Sequence, residues 1–292
     1  MTEMTRKPEG TPPGPVPERR ILVLLDGSRL SLETLETVAD LARASNARVL
    51  GIFVEEVNLL RSAGYGFARE VGRSSGITRP LDVESLHRRL DAMAVNIRRA
   101  FEQMMAPHGV AGSLTTCQGK VAEQVLTLAQ PADLLVLGRA GWSGGSGARL
   151  GSTARALVHQ APGDVLLCPA FTGGVAGRVV VLLNHDQGAN HRAVRVGAEL
   201  AHRNRSPLTV LVRADGEDDR RLLTDLTAFL GQEGIAATVK CLTGAGAIAM
   251  ARAVKVEGAG QLVVSRGSRL FSERGAAEAL LCALNIPVTV TP

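Results

Sequence analysis

The sequence predicts two tandem, doubly wound, five-stranded parallel-sheet α/β domains, and three observations predict it. Short apolar runs of strand length alternate with segments of helical period along the chain, the pattern of parallel strands joined by crossover helices. The whole series occurs twice, once from Ile21 and again from Val179. Apolar residues make up 45% of the chain but aromatics only 3%, so the interior is built of Leu, Val and Ala, which suits buried strands under helices. A length of 292 residues is enough for two such cores.

Taken in order, Ile21–Leu25 (ILVLL) is a first strand that ends in Asp26-Gly27-Ser28. Leu32, Leu35, Val38, Ala39 and Leu41 then recur at helical spacing, and Val49–Val54 (VLGIFV) is a second strand. Leu86–Met105 is a long helix and Ser113–Cys117 a third strand. Helix Val121–Ala129 and a fourth strand, Leu134–Leu137, follow, and Val165–Cys168 closes the unit before Pro169. The second copy runs Val179–Leu183, a helix through Ala193, Val196, Gly197 and Leu200, then Leu208–Val212 and Arg220–Leu230. It ends with Thr238–Leu242, Ala247–Val254, Leu262–Val264 and Val288–Val290. The domain limits are therefore a Pro/Gly-rich arm over 1–18, a first domain over 19–170 and a second over 177–292, joined near Phe171–Gly177.

Composition removes several functions. The formal charge of +5 is carried almost wholly by scattered arginines with few aromatics to stack on bases, which argues against nucleic acid. The paired arginines Arg88-Arg89 and Arg98-Arg99 read as a helix's wet face. Cys117, Cys168, Cys241 and Cys282 form no CxxC pair, so neither zinc nor a disulfide framework is expected. No apolar stretch reaches the ~20 residues of a membrane span, and the first residues lack the apolar centre of a signal peptide. A cytoplasmic protein without membrane insertion is expected.

The halves differ at strand C-terminal ends, where open α/β sheets bind ligands. The first carries an extra stretch, Glu55–Asp82, whose Tyr65 and Phe67 could equally cover a ligand or pin the stretch to the surface. After its fourth strand come Gly138-Arg139-Ala140-Gly141, nine residues, then Gly151-Ser152-Thr153 and the helix ARALVHQ. Glycines let main-chain N–H groups reach a phosphate, and a helix start with two hydroxyls adds unpaired donors and a favourable dipole. An ordinary flexible loop with a Gly-Ser helix start gives the same pattern. Asp26 ends the strand beside the fourth and so faces the same crevice, where its carboxylate can accept from ribose hydroxyls or an adenine amine. Asp-Gly-Ser is also a good turn and helix cap.

Asp26-Gly27-Ser28 after a first strand, with Gly138, Gly141, Gly151 and Ser152 spaced as G-x2-G-x9-G-S, resembles the universal stress protein family in its tandem form, strongly over 19–170 and weakly over 177–292. The resemblance implies an adenine nucleotide alpha hydrolase-like fold and a regulatory, non-metabolic protein that binds ATP or another adenine nucleotide, with magnesium. It implies that Asp26 and a main-chain group of Val54 hold adenosine, while Gly138, Arg139, Gly141, Gly151, Ser152 and Thr153 hold the phosphates. It also implies that Val165–Cys168 and Val288–Val290 pair antiparallel as an intramolecular pseudo-dimer, with a higher homo-oligomer left open. The second half departs from the pattern, with Asn184 in place of Asp26 and Ser265-Arg266-Gly267-Ser268 lacking the later Gly-Ser pair. That half reads as a structural or regulatory partner.

Other chemistries find no support. There is no GxxxxGK[ST], no GxGxxG opening a helix and no Ser-Gly-Gly loop after the first strand. His185 and His191 read as a solvated loop, His159 as a surface residue, and no Ser-His-Asp set stands out. An enzyme is not expected beyond slow ATP hydrolysis. Nucleotide occupancy would instead report energy state or control a protein partner that the sequence does not name. The other reading is a protein-interaction module that has lost nucleotide binding.

Overall fold

The computed structural model describes residues 19–72, 75–139, 150–169, 177–183, 187–214, 218–243, 246–273 and 275–292. The expected arm over 1–18 and most of the expected junction near 171–177 lie outside them. In the first half the elements are β1 (Arg20–Leu25), α1 (Arg29–Ser45), β2 (Arg48–Glu56), α2 (Val57–Ala63), β3 (Arg69–Val71), β4 (Thr78–Pro80), α3 (Val83–Met105), β5 (Gly112–Gly119), α4 (Val121–Leu128), β6 (Leu134–Gly138), α5 (Ser152–Gln160) and β7 (Asp164–Cys168). The second half comprises β8 (Arg178–Leu183), α6 (Gln187–Asn204), β9 (Leu208–Ala214), α7 (Asp218–Gln232), β10 (Thr238–Thr243), α8 (Ala247–Val256), β11 (Ala259–Ser265), α9 (Arg269–Ser272), α10 (Ala276–Ala283) and β12 (Val288–Thr291).

The strands form one ten-stranded sheet in the order β10-β9-β8-β11-β12-β7-β6-β1-β2-β5, with β3 and β4 as a separate antiparallel hairpin. Every neighbouring pair in the large sheet is parallel except β12 and β7. Those two run antiparallel, with Val288 opposite Leu167 and Val290 opposite Val165, so the expected pairing of fifth strands holds. It covers two edges that would otherwise offer unpaired main-chain groups to other chains.

Alternation along β1 shows how the layers are built. Leu22 and Leu24 face the side of α4 and α5, while Ile21, Val23 and Leu25 face α1 and α3. The core on the α4/α5 side does not stop at the seam. Leu157 and Leu167 of the first half share it with Leu281, Val288 and Val290 of the second. Ion pairs flank the seam: Arg19 with Glu199, Arg155 with Glu278 at 2.9 Å and Arg192 with Asp164 at 3.0 Å. Burial pushes the Asp164 carboxyl up from its ordinary value despite Arg192.

The sequence reading missed two groups of elements. The Glu55–Asp82 stretch contains α2 and the β3–β4 hairpin, whose three-residue strands are too short to show a period. In the second half α9 and α10 fill the connection from β11 to β12; α10 (AAEALLCA) is too Ala-rich and brief to declare a face.

Candidate functional site

The C-terminal end of β1 sets one wall of the site. Gly27 turns the chain with φ of +72°, a conformation that costs little only without a side chain. The Ser28 amide then donates to Asp26 Oδ1 at 2.9 Å. Ser28 is the N-cap of α1, its Oγ accepting from the Ser31 amide at 3.2 Å, and Ser31 Oγ in turn donates to the Ser28 carbonyl at 3.0 Å. The turn role and the crevice role of Asp26 therefore coexist: one oxygen braces the turn, and the side chain lines the cavity beyond.

The pairing of β1 with β6, Val23 opposite Val136, brings Gly138 to the same sheet edge. Past Gly138, the Arg139 amide donates to the Cys168 carbonyl at 3.1 Å, and the Gly151 amide donates to the Arg139 carbonyl at 3.1 Å. These two bonds pin together the ends of the connection whose middle, 140–149, is outside the described residues. Gly151 is the N-cap of α5 and places no side chain over the first turn, which leaves the N–H groups near Ser152 and Thr153 uncapped by a side chain. Behind the loop, burial pushes the Cys168 thiol up to about 12, against a hydrogen bond from Thr34 and the charge of Arg139. Cys168 is a packing residue.

The third wall is β2. Its ladder with β1 ends at Leu25 opposite Phe53, while its ladder with β5 continues to Glu56 opposite Gly119. From Val54 to Glu56 the strand thus has no strand partner on the β1 side, and that side borders the cavity.

These walls enclose a cavity of about 790 Å³, within the range of small-molecule sites. It is lined by Asp26, Val54, Gly138, Gly151, Ser152 and Thr153, six of the eight residues the sequence singled out. Gly141 lies outside the described residues. Arg139 needs correcting. Its guanidinium turns away from the cavity and donates to the Leu281 and Leu284 carbonyls of the second half, and its amide is taken by Cys168. Burial there lowers its pKa from the ordinary value.

Sequence reasoning missed the outer wall. Leu86, Leu90 and Met93 of α3 line it with Leu59 and Leu81 of the inserted stretch. The spacing of the three α3 residues was legible as a buried helical face, but not that the face is turned to a ligand-sized space. Arg89 and Glu70 also line it and pair at 2.7 Å, tying β3 to α3. Arg88 and Arg89 are exposed, as the wet-face reading has it, yet Arg89 serves the cavity too. Tyr65 and Phe67 stack on each other at 5.3 Å, stay 57% and 80% exposed, and do not line the cavity, so neither lies over it as a cover.

The matching turn of the second half, after β11, has a different local structure. After β11 the Gly267 and Ser268 main chains fold back onto Ser265, and Ser268 is buried. Asn184 and His185 lie outside the described residues. His191 sits on α6, not in a loop, stacked on Phe229 at 4.0 Å; its helix begins earlier than the apolar spacing showed. His159 is exposed on α5, edge-on to Phe271. Among the described residues no cluster of three or more His, Cys, Asp or Glu could hold a metal ion.

A carboxylate on a tight turn, strand main chain open on its β1 side, a helix start with glycine and hydroxyls, and apolar walls can take a small molecule that joins an apolar part to hydrogen-bonding and anionic groups. The Universal stress protein family matches residues 18–169. No match to a curated protein was found. Among solved structures the chain is similar to a universal stress protein from Archaeoglobus fulgidus DSM 4304, at 15% identity and a TM-score of 0.71 over 93% of this chain and 95% of that one. It is also similar to a functionally unknown protein from Pseudomonas aeruginosa PAO1, at 16% identity and a TM-score of 0.57 over 94% and 92%. The cytoplasmic domain of a prokaryotic cation chloride cotransporter matches at 12% identity and a TM-score of 0.52 over 94% and 95%. These likenesses carry the fold.

Proposed function

The chain belongs to the universal stress protein family, and on that footing we propose that it binds an adenine nucleotide, ATP first, in the cavity of its first half and has a regulatory, non-metabolic role in the stress response. The observation that supports this most is the convergence of Asp26 with Gly138, Gly151, Ser152 and Thr153 on one cavity of about 790 Å³. Asp26 would accept from ribose hydroxyls or the adenine amine, and the main chain at Val54 would meet the adenine edge. The amides and hydroxyls of the loop and the α5 start would take the phosphates, with magnesium sharing the charge.

Slow turnover at most goes with this reading. Each of the three carboxylates lining the cavity has a structural contact, Asp26 with the Ser28 amide, Glu56 with Asn58 and Glu70 with Arg89, which supports a binding role ahead of a catalytic one. No helix among the described residues is long and apolar enough to cross a membrane, and a cytoplasmic setting goes with an ATP sensor. The competing reading, an interaction module without nucleotide, draws on the exposed Tyr65, Phe67, Val71 and Ile77 of the inserted stretch. That stretch walls the cavity without filling it, which favours the nucleotide.

Equilibrium binding of labelled ATP with magnesium to the purified protein tests the proposal. Micromolar to sub-millimolar affinity, weakened at least tenfold by Asp26→Ala, supports it. No binding at millimolar ATP, or affinity untouched by Asp26→Ala and Gly151→Val, overturns it.

A further inference from the structure

Arg139 stands where the nucleotide pattern expects a phosphate-facing residue, yet its guanidinium Nη1 donates to the other half of the molecule. Three attachments meet in this residue. Its amide holds the Cys168 carbonyl, its carbonyl holds the Gly151 amide, and its guanidinium Nη1 holds the carbonyls of Leu281 and Leu284. Leu284 is the C-cap of α10, so a cation sits at the negative end of that helix, where it is favoured. The same helix is gripped again by Arg155, in the second turn of α5, through Glu278 at 2.9 Å. The first residue past β6 and the helix that opens at Gly151 are thus both moored to α10.

A mirror copy of the contact exists. Arg266 follows β11 as Arg139 follows β6, its amide holds the Thr291 carbonyl at 2.7 Å, and its Nη1 donates to the Ala161 carbonyl at 2.6 Å. Ala161 is the C-cap of α5. The two arginines therefore reach across the same seam, Arg139 to two carbonyls and Arg266 to one, but of the two it is Arg139 that also holds the glycine that starts the phosphate-facing helix. The contact made by Arg266 lies at the far end of nine-residue α5, about 13 Å from that start at 1.5 Å per residue.

We propose that Arg139 is a positioning residue through which α10 of the second half fixes the nucleotide loop of the first, so that the half without the binding pattern regulates the site. This rests on the nucleotide reading above. The mechanism is geometric: with the guanidinium anchored, the Arg139 carbonyl is held in place to receive the Gly151 amide, and the α5 start stays aimed at the cavity. Anything that shifts α10 moves that carbonyl. By reciprocity, a nucleotide that tightens the loop must tighten α10.

The test compares the full-length protein with Arg139→Met and Arg266→Met, each measured for thermal stability, ATP affinity, and deuterium exchange along Ala276–Ala283 with and without ATP. Arg139→Met loses two cross-seam bonds and Arg266→Met one, from a guanidinium whose buried Nε and Nη2 have no partner among the described residues, so both are expected to lower Tm, Arg266→Met the less. Only Arg139→Met is expected to weaken ATP at least tenfold, with Arg266→Met within threefold of the parent. In the parent, ATP is expected to slow exchange in α10, and Arg139→Met is expected to abolish that protection. Should Arg139→Met fail to fold, Arg139→Lys carries the test, because it keeps the charge and a donor and should retain part of both effects. Equal affinity losses in the two arginine variants, or ATP binding without any change in α10, overturns the coupling while leaving nucleotide binding intact. A parent protein that binds no ATP takes both readings down together.

Discussion

Gly27 and Met93 meet so closely that a β-carbon added at Gly27 would lie 2.8 Å from Met93 Cγ and 3.0 Å from its Sδ. The glycine shapes the turn that aims Asp26, and the methionine is part of the outer cavity wall. Gly27→Ala is accordingly expected to act twice. Left-handed backbone and displacement of Met93 together cost about 1–3 kcal/mol of stability. The methionine also has to move, which changes the cavity and weakens ATP. A variant as stable as the parent, with unchanged affinity, would contradict the close packing of this turn against α3.

Leu167 on β7 is fully buried and sits opposite Val288 on β12, inside the core that both halves share. Two independent domains would melt separately, whereas a common core and a continuous sheet favour one transition. Leu167→Ala is expected to cost about 3 kcal/mol and to lower a single calorimetric transition without splitting it. Two resolved transitions, only one of them moved by the substitution, would show that the seam is a contact and not a core.

How much of this was legible in the sequence follows from what each residue's role depends on. The strands were legible because Ile21–Leu25 and Val179–Leu183 are continuous apolar runs buried on both faces, a local property. Asp26, Gly138, Gly151, Ser152 and Thr153 stand at strand C-terminal ends, where open α/β sheets bind ligands, but their residue types alone fit a turn and a flexible loop as well, and it is the resemblance to the family that singles them out. Arg139 was misread because its partner carbonyls, Leu281 and Leu284, lie more than 140 positions downstream, on a helix the pattern did not reveal. The outer wall was missed for a related reason. Leu86, Leu90 and Met93 have the same spacing whether they pack on protein or face a ligand space, and only the arrangement of α2 and the hairpin decides between the two.

The four cysteines sort by burial. With its thiol pushed by burial from the ordinary 9.0 up to about 12, Cys168 stays a neutral thiol at pH 8, and it is fully buried besides. Cys241 is exposed. A thiol reagent added to native protein at pH 8 is expected to label Cys241 quickly and Cys168 only on unfolding, a difference that mass mapping of labelled peptides reads directly. The sign of the linkage also follows. Folding favours the neutral Cys168 thiol, so its contribution is whole below pH 9 and is lost as pH rises toward 12. Cys168→Ala should remove that share of the alkaline slope. Rapid labelling of Cys168 in the native state would refute the packing role.

Arg89 and Glu70 join the inserted hairpin to α3 at the cavity's outer wall, with side chains 50% and 36% exposed. An ion pair that wet contributes at most about 1 kcal/mol, and salt screens it further. Arg89→Ala is therefore expected to leave Tm nearly unchanged but to loosen the hairpin that walls the nucleotide. ATP dissociation should quicken by up to about fivefold at low ionic strength, converging with the parent in high salt, and protease should cut the stretch between Tyr65 and Pro80 sooner. Stopped-flow release of a fluorescent ATP analogue at two salt concentrations reads the first effect. Equal release rates at both concentrations would mean that the hairpin is held by Leu59 and Leu81 packing onto the cavity wall, with the ion pair a bystander.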